Sequence, residues 1–123
     1  MEEVKITFAR TKKTYPLAFT IEAFERLTRL LPEDAQSYGE IVKLTRTPQG
    51  ACEVCAVLIG AAGGKDAPGA EEIRKTAYVY EIAEIQKACA KAILHGLNIE
   101  TSETDEDIDE TLMENEKNAQ AGA

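Results

Sequence analysis

Tryptophan does not occur in these 123 residues, and four Tyr and three Phe bring the aromatics to only 6%. Any core must therefore be aliphatic, drawn from the Leu, Ile, Val and Ala that dominate the 44% hydrophobic fraction. A single histidine leaves no material for a multi-histidine metal centre, and three cysteines are too few for the disulfide framework of a small secreted domain. No apolar stretch approaches the roughly 18 to 20 residues that span a bilayer. The longest, Val54 to Ala62, already contains Gly60. A secretory signal is not expected either, because Met1-Glu2-Glu3 offers neither a basic nor an apolar leader. The reading is a soluble intracellular chain of about one domain, with reduced thiols, no membrane partner and no small-molecule substrate.

Excess positive charge is missing too. Fourteen Lys and Arg stand against 22 Asp and Glu, a formal charge of -8, whereas a phosphate-backbone binder needs a basic face. No nucleic-acid partner is expected. The distribution matters more than the total. Beyond residue 97 lie nine acids (Glu100, Glu103, Asp105, Glu106, Asp107, Asp109, Glu110, Glu114, Glu116) and one base, Lys117, while residues 1–97 hold 13 of each sign. The whole net charge belongs to the C-terminal segment.

Val4, Ile6 and Phe8 alternate with Lys5, Thr7 and Ala9, and Tyr15, Leu17 and Phe19 repeat the pattern after Thr11-Lys12-Lys13. Period-two runs on either side of a polar connection predict a β-hairpin over about 3–19, with Pro16 restricting the second strand to an edge. A lone hairpin needs a cover. The next helix is expected to supply it: Thr20 is an N-cap, and Ile21, Phe24, Leu27, Leu30 and Leu31 follow at helical spacing up to Pro32. A second helix is expected from Asp34 to about residue 46, with Tyr38, Ile41, Val42 and Thr45 on one face and Thr47-Pro48-Gln49-Gly50 as its exit. Ala51 to Ala62 carries almost no charge and reads as a central buried helix.

Gly63 to Gly69 reads as a flexible connector, followed by a helical turn near Glu71 to Lys75. Tyr78, Ile82, Ile85, Cys89, Ala92 and Ile93 then mark a long amphipathic helix over 77–95, with Glu81, Glu84, Lys87 and Lys91 on its polar face and Gly96 as its stop. The fold class is thus mainly α with a small N-terminal β-hairpin, an α+β arrangement. A folded body over 1–97 is followed by a disordered acidic tail over 98–123, whose composition has too little apolar surface to bury. Within that tail Ile108, Leu112 and Met113 fall at i, i+4 and i+5, either an accident of composition or a docking element that folds on a partner.

Cys52-Glu53-Val54-Cys55 is the one local motif with a familiar chemistry. Two thiols three residues apart can share a zinc ion or cycle as a dithiol, and Cys89 with His95 would complete a Cys3His set. The spacing fits no zinc knuckle, however, and the pair sits in an apolar helical run with Glu53 between the thiols. Buried hydrophobic cysteines are the favoured reading, with no metal and no cofactor. His95 suits a helix C-terminus electrostatically. Gly60 to Asp66 fails as a phosphate loop because Lys65 precedes Asp66 rather than Ser or Thr. Nothing else in the chain assembles a nucleophile and base, so no enzyme is expected.

Three stretches carry a family likeness. Tyr15-Pro16-Leu17-Ala18-Phe19-Thr20-Ile21-Glu22-Ala23-Phe24-Glu25-Arg26-Leu27 runs from a short strand into an amphipathic helix. Leu58-Ile59-Gly60-Ala61-Ala62-Gly63 closes the central helix, and Asn115-Glu116-Lys117-Asn118-Ala119 lies near the end. With the long final helix and the acidic extension, this layout resembles the tail assembly chaperones of long-tailed bacteriophages and prophages. The resemblance implies a non-enzymatic protein of the host bacterial cytoplasm that binds the tape measure protein during tail tube assembly and leaves before the virion matures. It implies the tail tube protein as a further partner, a homo-oligomer as one assembly state, and a frameshifted longer product, for which Glu116-Lys117-Asn118 can encode a slippery run. Ile108, Leu112, Met113, Tyr78 and Tyr80 are the candidate partner contacts, with core packing the role expected of at least one of the two tyrosines. An acidic DNA mimic or regulatory binding protein is the alternative, disfavoured because the carboxylates gather in one terminus instead of covering a folded face.

Overall fold

A computed structural model describes residues 4–63 and 66–99. It contains a two-stranded antiparallel hairpin and five α-helices in the order β1 (Val4–Thr7), β2 (Thr14–Leu17), α1 (Ile21–Thr28), α2 (Tyr38–Leu44), α3 (Pro48–Ala61), α4 (Ala70–Thr76) and α5 (Ile82–Gly96). Short 3-10 turns at Glu33–Ala35 and Val79–Glu81 precede α2 and α5. The expected class, mainly helical with an N-terminal hairpin, is what the chain adopts. The acidic tail expected over 98–123 lies outside the described residues from Glu100 onward.

In the hairpin Val4 pairs with Leu17, Lys5 with Pro16, Ile6 with Tyr15 and Thr7 with Thr14. Phe8 N–H donates to the Lys13 carbonyl at 3.0 Å. Ladder bonds alternate along an antiparallel pair, so Pro16 opposite Lys5 falls on an unbonded position, where its missing N–H costs nothing. Lys12, at φ 59°, turns the chain, and its amide donates to the Phe8 carbonyl at 2.8 Å. Ile6, Phe8 and Leu17 are buried on one face as the alternation requires.

That face is covered by α5 and α3, and not by α1. The helix next in sequence packs instead on α3, with Ala23 and Leu27 inward. It is shorter than the expected 21–31: Thr20 caps it by accepting from Ala23 N–H, and its end at Thr28 leaves Ile21 and Leu30 exposed. Phe24 is drawn into an aromatic cluster, 5.9 Å from Phe19 and 5.4 Å from Tyr38 between ring centres.

The largest departure concerns Thr47-Pro48-Gln49-Gly50, which opens α3 instead of ending α2. Thr47 Oγ1 accepts from Gly50 N–H at 3.0 Å, and Pro48 takes the first helical position, where its lack of a donor is harmless. Accordingly α2 is compressed from the expected 34–46 to seven residues, capped by Ser37. Ile41, Val42 and Thr45 are buried; the Thr45 hydroxyl donates to the Val42 carbonyl, and Gln86 of α5 donates to the Thr45 carbonyl at 2.7 Å. α3 is the hub, touching α1, α2, α4, α5 and β2, with Val54, Cys55, Leu58 and Ile59 fully buried.

Gly96 is not the conformational stop. α5 ends in a Schellman arrangement with Asn98 as the left-handed residue (φ 59°); Asn98 N–H donates to the His95 carbonyl and Ile99 N–H to that of Leu94. Gly96 serves close approach, since a Cβ there would lie 2.4 Å from the Phe19 carbonyl oxygen. Among the described residues no helix is long and apolar enough to cross a membrane.

Candidate partner interface

Tyr78 was expected on the buried face of the long helix. The helix begins later, at Ile82, and Tyr78 stands outside it in extended backbone. Tyr78, Val79 and Tyr80 are 49%, 83% and 71% exposed. The two rings stack at 5.8 Å with planes 13° apart, so neither tyrosine takes a place in the core. Together they form a contiguous exposed ridge, the kind of feature that marks a contact surface when its apolar area is large enough.

Glu81 fixes this ridge. The sequence pattern put it on the polar face of α5, yet it is only 5% exposed. One carboxylate oxygen accepts from Tyr78 N–H at 2.8 Å, while Glu81 N–H donates to the Tyr78 carbonyl at 2.9 Å, and the other carboxylate oxygen accepts from Ala9 N–H at 2.8 Å, tying the hairpin to the start of α5. Glu81 at the third position after Tyr78 is where a carboxylate reaches back to a helix-opening N–H, although Tyr78 offers no side-chain cap in return. The contact with Ala9, 72 positions away, is not legible.

The ridge separates two depressions. On one side Tyr80 borders a groove of about 470 Å³ between β1 and α5, with Thr7, Glu84, Lys87 and Lys91 along it. On the other, Tyr78 and Val79 border a smaller one of about 180 Å³ floored by Ile73, Ile82 and Ile85. Lys87 and Lys91 bring both long apolar stems and positive charge to the first groove. Such a surface suits an amphipathic chain with apolar and acidic side chains. Val79, Glu81, Lys87 and Lys91 were not among the residues anticipated. Ile108, Leu112 and Met113 lie outside the described residues.

The three cysteines are brought together from α3 and α5. All are buried, and the Cys55 and Cys89 side chains are hydrogen-bonded. His95 does not join them: it lies six residues beyond Cys89, about 9 Å along the helix axis, against Phe19 and Ala62. Among the described residues no three His, Cys, Asp or Glu are grouped to hold a metal ion. The hydrogen bond that the Cys89 thiol donates to Cys55, then burial, push the Cys89 thiol well up, and burial followed by the neighbouring Cys55 raises Cys52. Both hold their protons to higher pH in the fold than in the unfolded chain. The unfolded chain releases these protons near the ordinary thiol value of about 8.5, while the folded chain keeps them. The contribution is therefore intact below that pH and lost as pH rises above it. Urea midpoints measured from pH 7.5 to 10 should fall, and Cys89→Ala should flatten the slope even though its cavity lowers every midpoint.

Compared with protein-family models, with curated proteins and with solved structures, the chain matches none.

Proposed function

We propose that the protein is a non-enzymatic tail assembly chaperone of a long-tailed bacteriophage or prophage, which binds the tape measure protein in the host cytoplasm and keeps it soluble while the tail tube forms. The observation that carries this reading is the Tyr78-Val79-Tyr80 ridge, held rigid by Glu81 and flanked by two grooves. A holding chaperone must present apolar surface without aggregating itself. A short ridge of stacked tyrosines, bordered by Lys87 and Lys91, meets both demands, because tyrosine gives contact area at small entropic cost and retains a hydroxyl for water.

The tape measure protein fits as occupant because a long helical chain exposes apolar stripes before assembly. The sequence likeness supplies its name, and the ridge supplies a surface for it. The tail tube protein and further copies of the chain are the other partners this reading admits.

The test is co-purification with a co-expressed tape measure protein from the same genome. The triple variant Y78S/V79S/Y80S should recover at least tenfold less partner, the loss expected when about 1.4 kcal/mol of contact energy is removed. Its own unfolding midpoint should change little, since exposed side chains contribute within about 0.5 kcal/mol each. A folded triple variant that recovers as much partner as the parent chain would overturn the assignment of the surface.

A further inference from the structure

A further groove, of about 560 Å³, lies on the side of α3 that faces α1 and α4, and it shares no residue with the depressions flanking the tyrosine ridge. Its floor is one helical face of α3, where Ala56, Val57 and Gly60 recur at i, i+1 and i+4. Leu30 forms one wall and remains 44% exposed; Pro68 closes the other. The open face is therefore largely apolar and runs along α3 from Glu53 to Gly60, about 10 Å or two helical turns, room for the apolar face of a short helix.

Its rim is cationic. Arg26 and Arg29 both line it, and the Arg26 guanidinium reaches over Gly60 at 3.8 Å from where a Cβ would stand. Neither arginine has a salt-bridge partner among the described residues. The single carboxylate in the lining, Glu53, already accepts a hydrogen bond from Gln49 at 3.3 Å. An occupant must thus bring a few large apolar side chains on one helical face, with carboxylates beside them.

The same chain contains such a segment. Ile108, Leu112 and Met113 form the apolar set, and Asp105, Glu106, Asp107, Asp109, Glu110, Glu114 and Glu116 surround them without one base. Reach is sufficient. Ile99 is held on the last turn of α5 by its bond to the Leu94 carbonyl. That end lies beside the end of α3, since Ala62, His95 and Gly96 border one depression. From there the groove is about one helix diameter away, ~10 Å, whereas the nine steps from Ile99 to Ile108 extend up to ~30 Å. A tether this short keeps the segment near its groove at about millimolar effective concentration.

The geometry points to residues 105–116 of the same chain as the occupant of the Arg26–Arg29 groove, docked as a short helix with Ile108, Leu112 and Met113 on Val57 and Leu30. Docking hides the apolar trio from water and neutralises the two arginines. Any partner that uses the trio must first displace it.

The experiment uses the full chain carrying a nitroxide on N115C, the three native thiols being buried. Amide signals of Leu30, Val57, Gly60 and Ala67 should be selectively broadened relative to Lys87 and Lys91. The broadening should vanish in R26E/R29E, two exposed positions whose reversal leaves the core untouched, and independently in I108D/L112D/M113D. Even broadening over the surface would overturn the proposal, as would broadening centred on Tyr80 and Lys87 or persistence in both variants. Broadening seen only between a spin-labelled chain and a separate isotope-labelled chain would overturn the intrachain form. Failure here leaves the tyrosine ridge and its co-purification test unaffected.

Discussion

Gly50→Ala is expected to be the most destabilising single-methyl change in the chain. Gly50 sits in the first turn of α3, where the end of α2 passes so closely that a Cβ would meet the Leu44 carbonyl oxygen at 1.8 Å, with the carbonyl carbon at 2.8 Å. These are backbone atoms, held by the short link through Thr45, Arg46 and Thr47. No side-chain rotation can relieve the clash, so α2 must move off α3, taking the buried Ile41 and Val42 with it. Overpacking alone costs about 1–3 kcal/mol, and a rigid backbone neighbour places this case at or beyond the upper end. A loss of about 3 kcal/mol corresponds to a fall in melting temperature of roughly 12–24 °C for a domain of this size. Gly69→Ala is the control. Nothing lies within 4 Å of its added methyl, and the poorer N-cap that Ala makes at the start of α4 costs about 0.5–1 kcal/mol. Thermal melts of the two variants should differ sharply.

Glu81→Ala is expected to be nearly as costly, and it also loosens the proposed contact surface. The carboxylate accepts from Ala9 N–H and Tyr78 N–H, both at 2.8 Å. Hydrogen bonds to a charged group contribute about 1.5–3 kcal/mol each, with partly exposed donors at the low end because water can replace the acceptor. A total near 3 kcal/mol follows. Glu81→Gln should recover only part of it, because its amide nitrogen turns a donor toward one of the two N–H groups. Urea unfolding gives the ranking, and amide exchange at Ala9 and Tyr78 should accelerate in both variants. Unchanged midpoints would show that the clamp is dispensable.

The elements were more legible than their junctions. The hairpin, the burial of α3 and the inward face of α5 follow from apolar periodicity, which is set by local geometry. Thr47-Pro48 was misassigned because a Pro after a helical pattern also signals an end; the Thr N-cap with Pro at the first helical position was the stronger cue. The cover of the hairpin by α5 instead of α1 depends on tertiary packing, on which the spacing of Ile21 and Phe24 carries no information. Of the proposed interface, Tyr78 and Tyr80 are legible as candidate surface aromatics, but the helical spacing also assigns Tyr78 to the core face. Their exposure depended on where α5 starts, a choice made by Glu81 through its bond to the distant Ala9.

The most direct measurement is the soluble yield of a tape measure protein encoded beside this chain, expressed alone and then together with it. If the tyrosine ridge serves a tail assembly chaperone, the partner expressed alone should sediment, while co-expression should shift it to the supernatant as a complex that co-elutes with this protein. A tape measure protein that stays insoluble, or that becomes soluble without associating with this chain, would contradict the proposal.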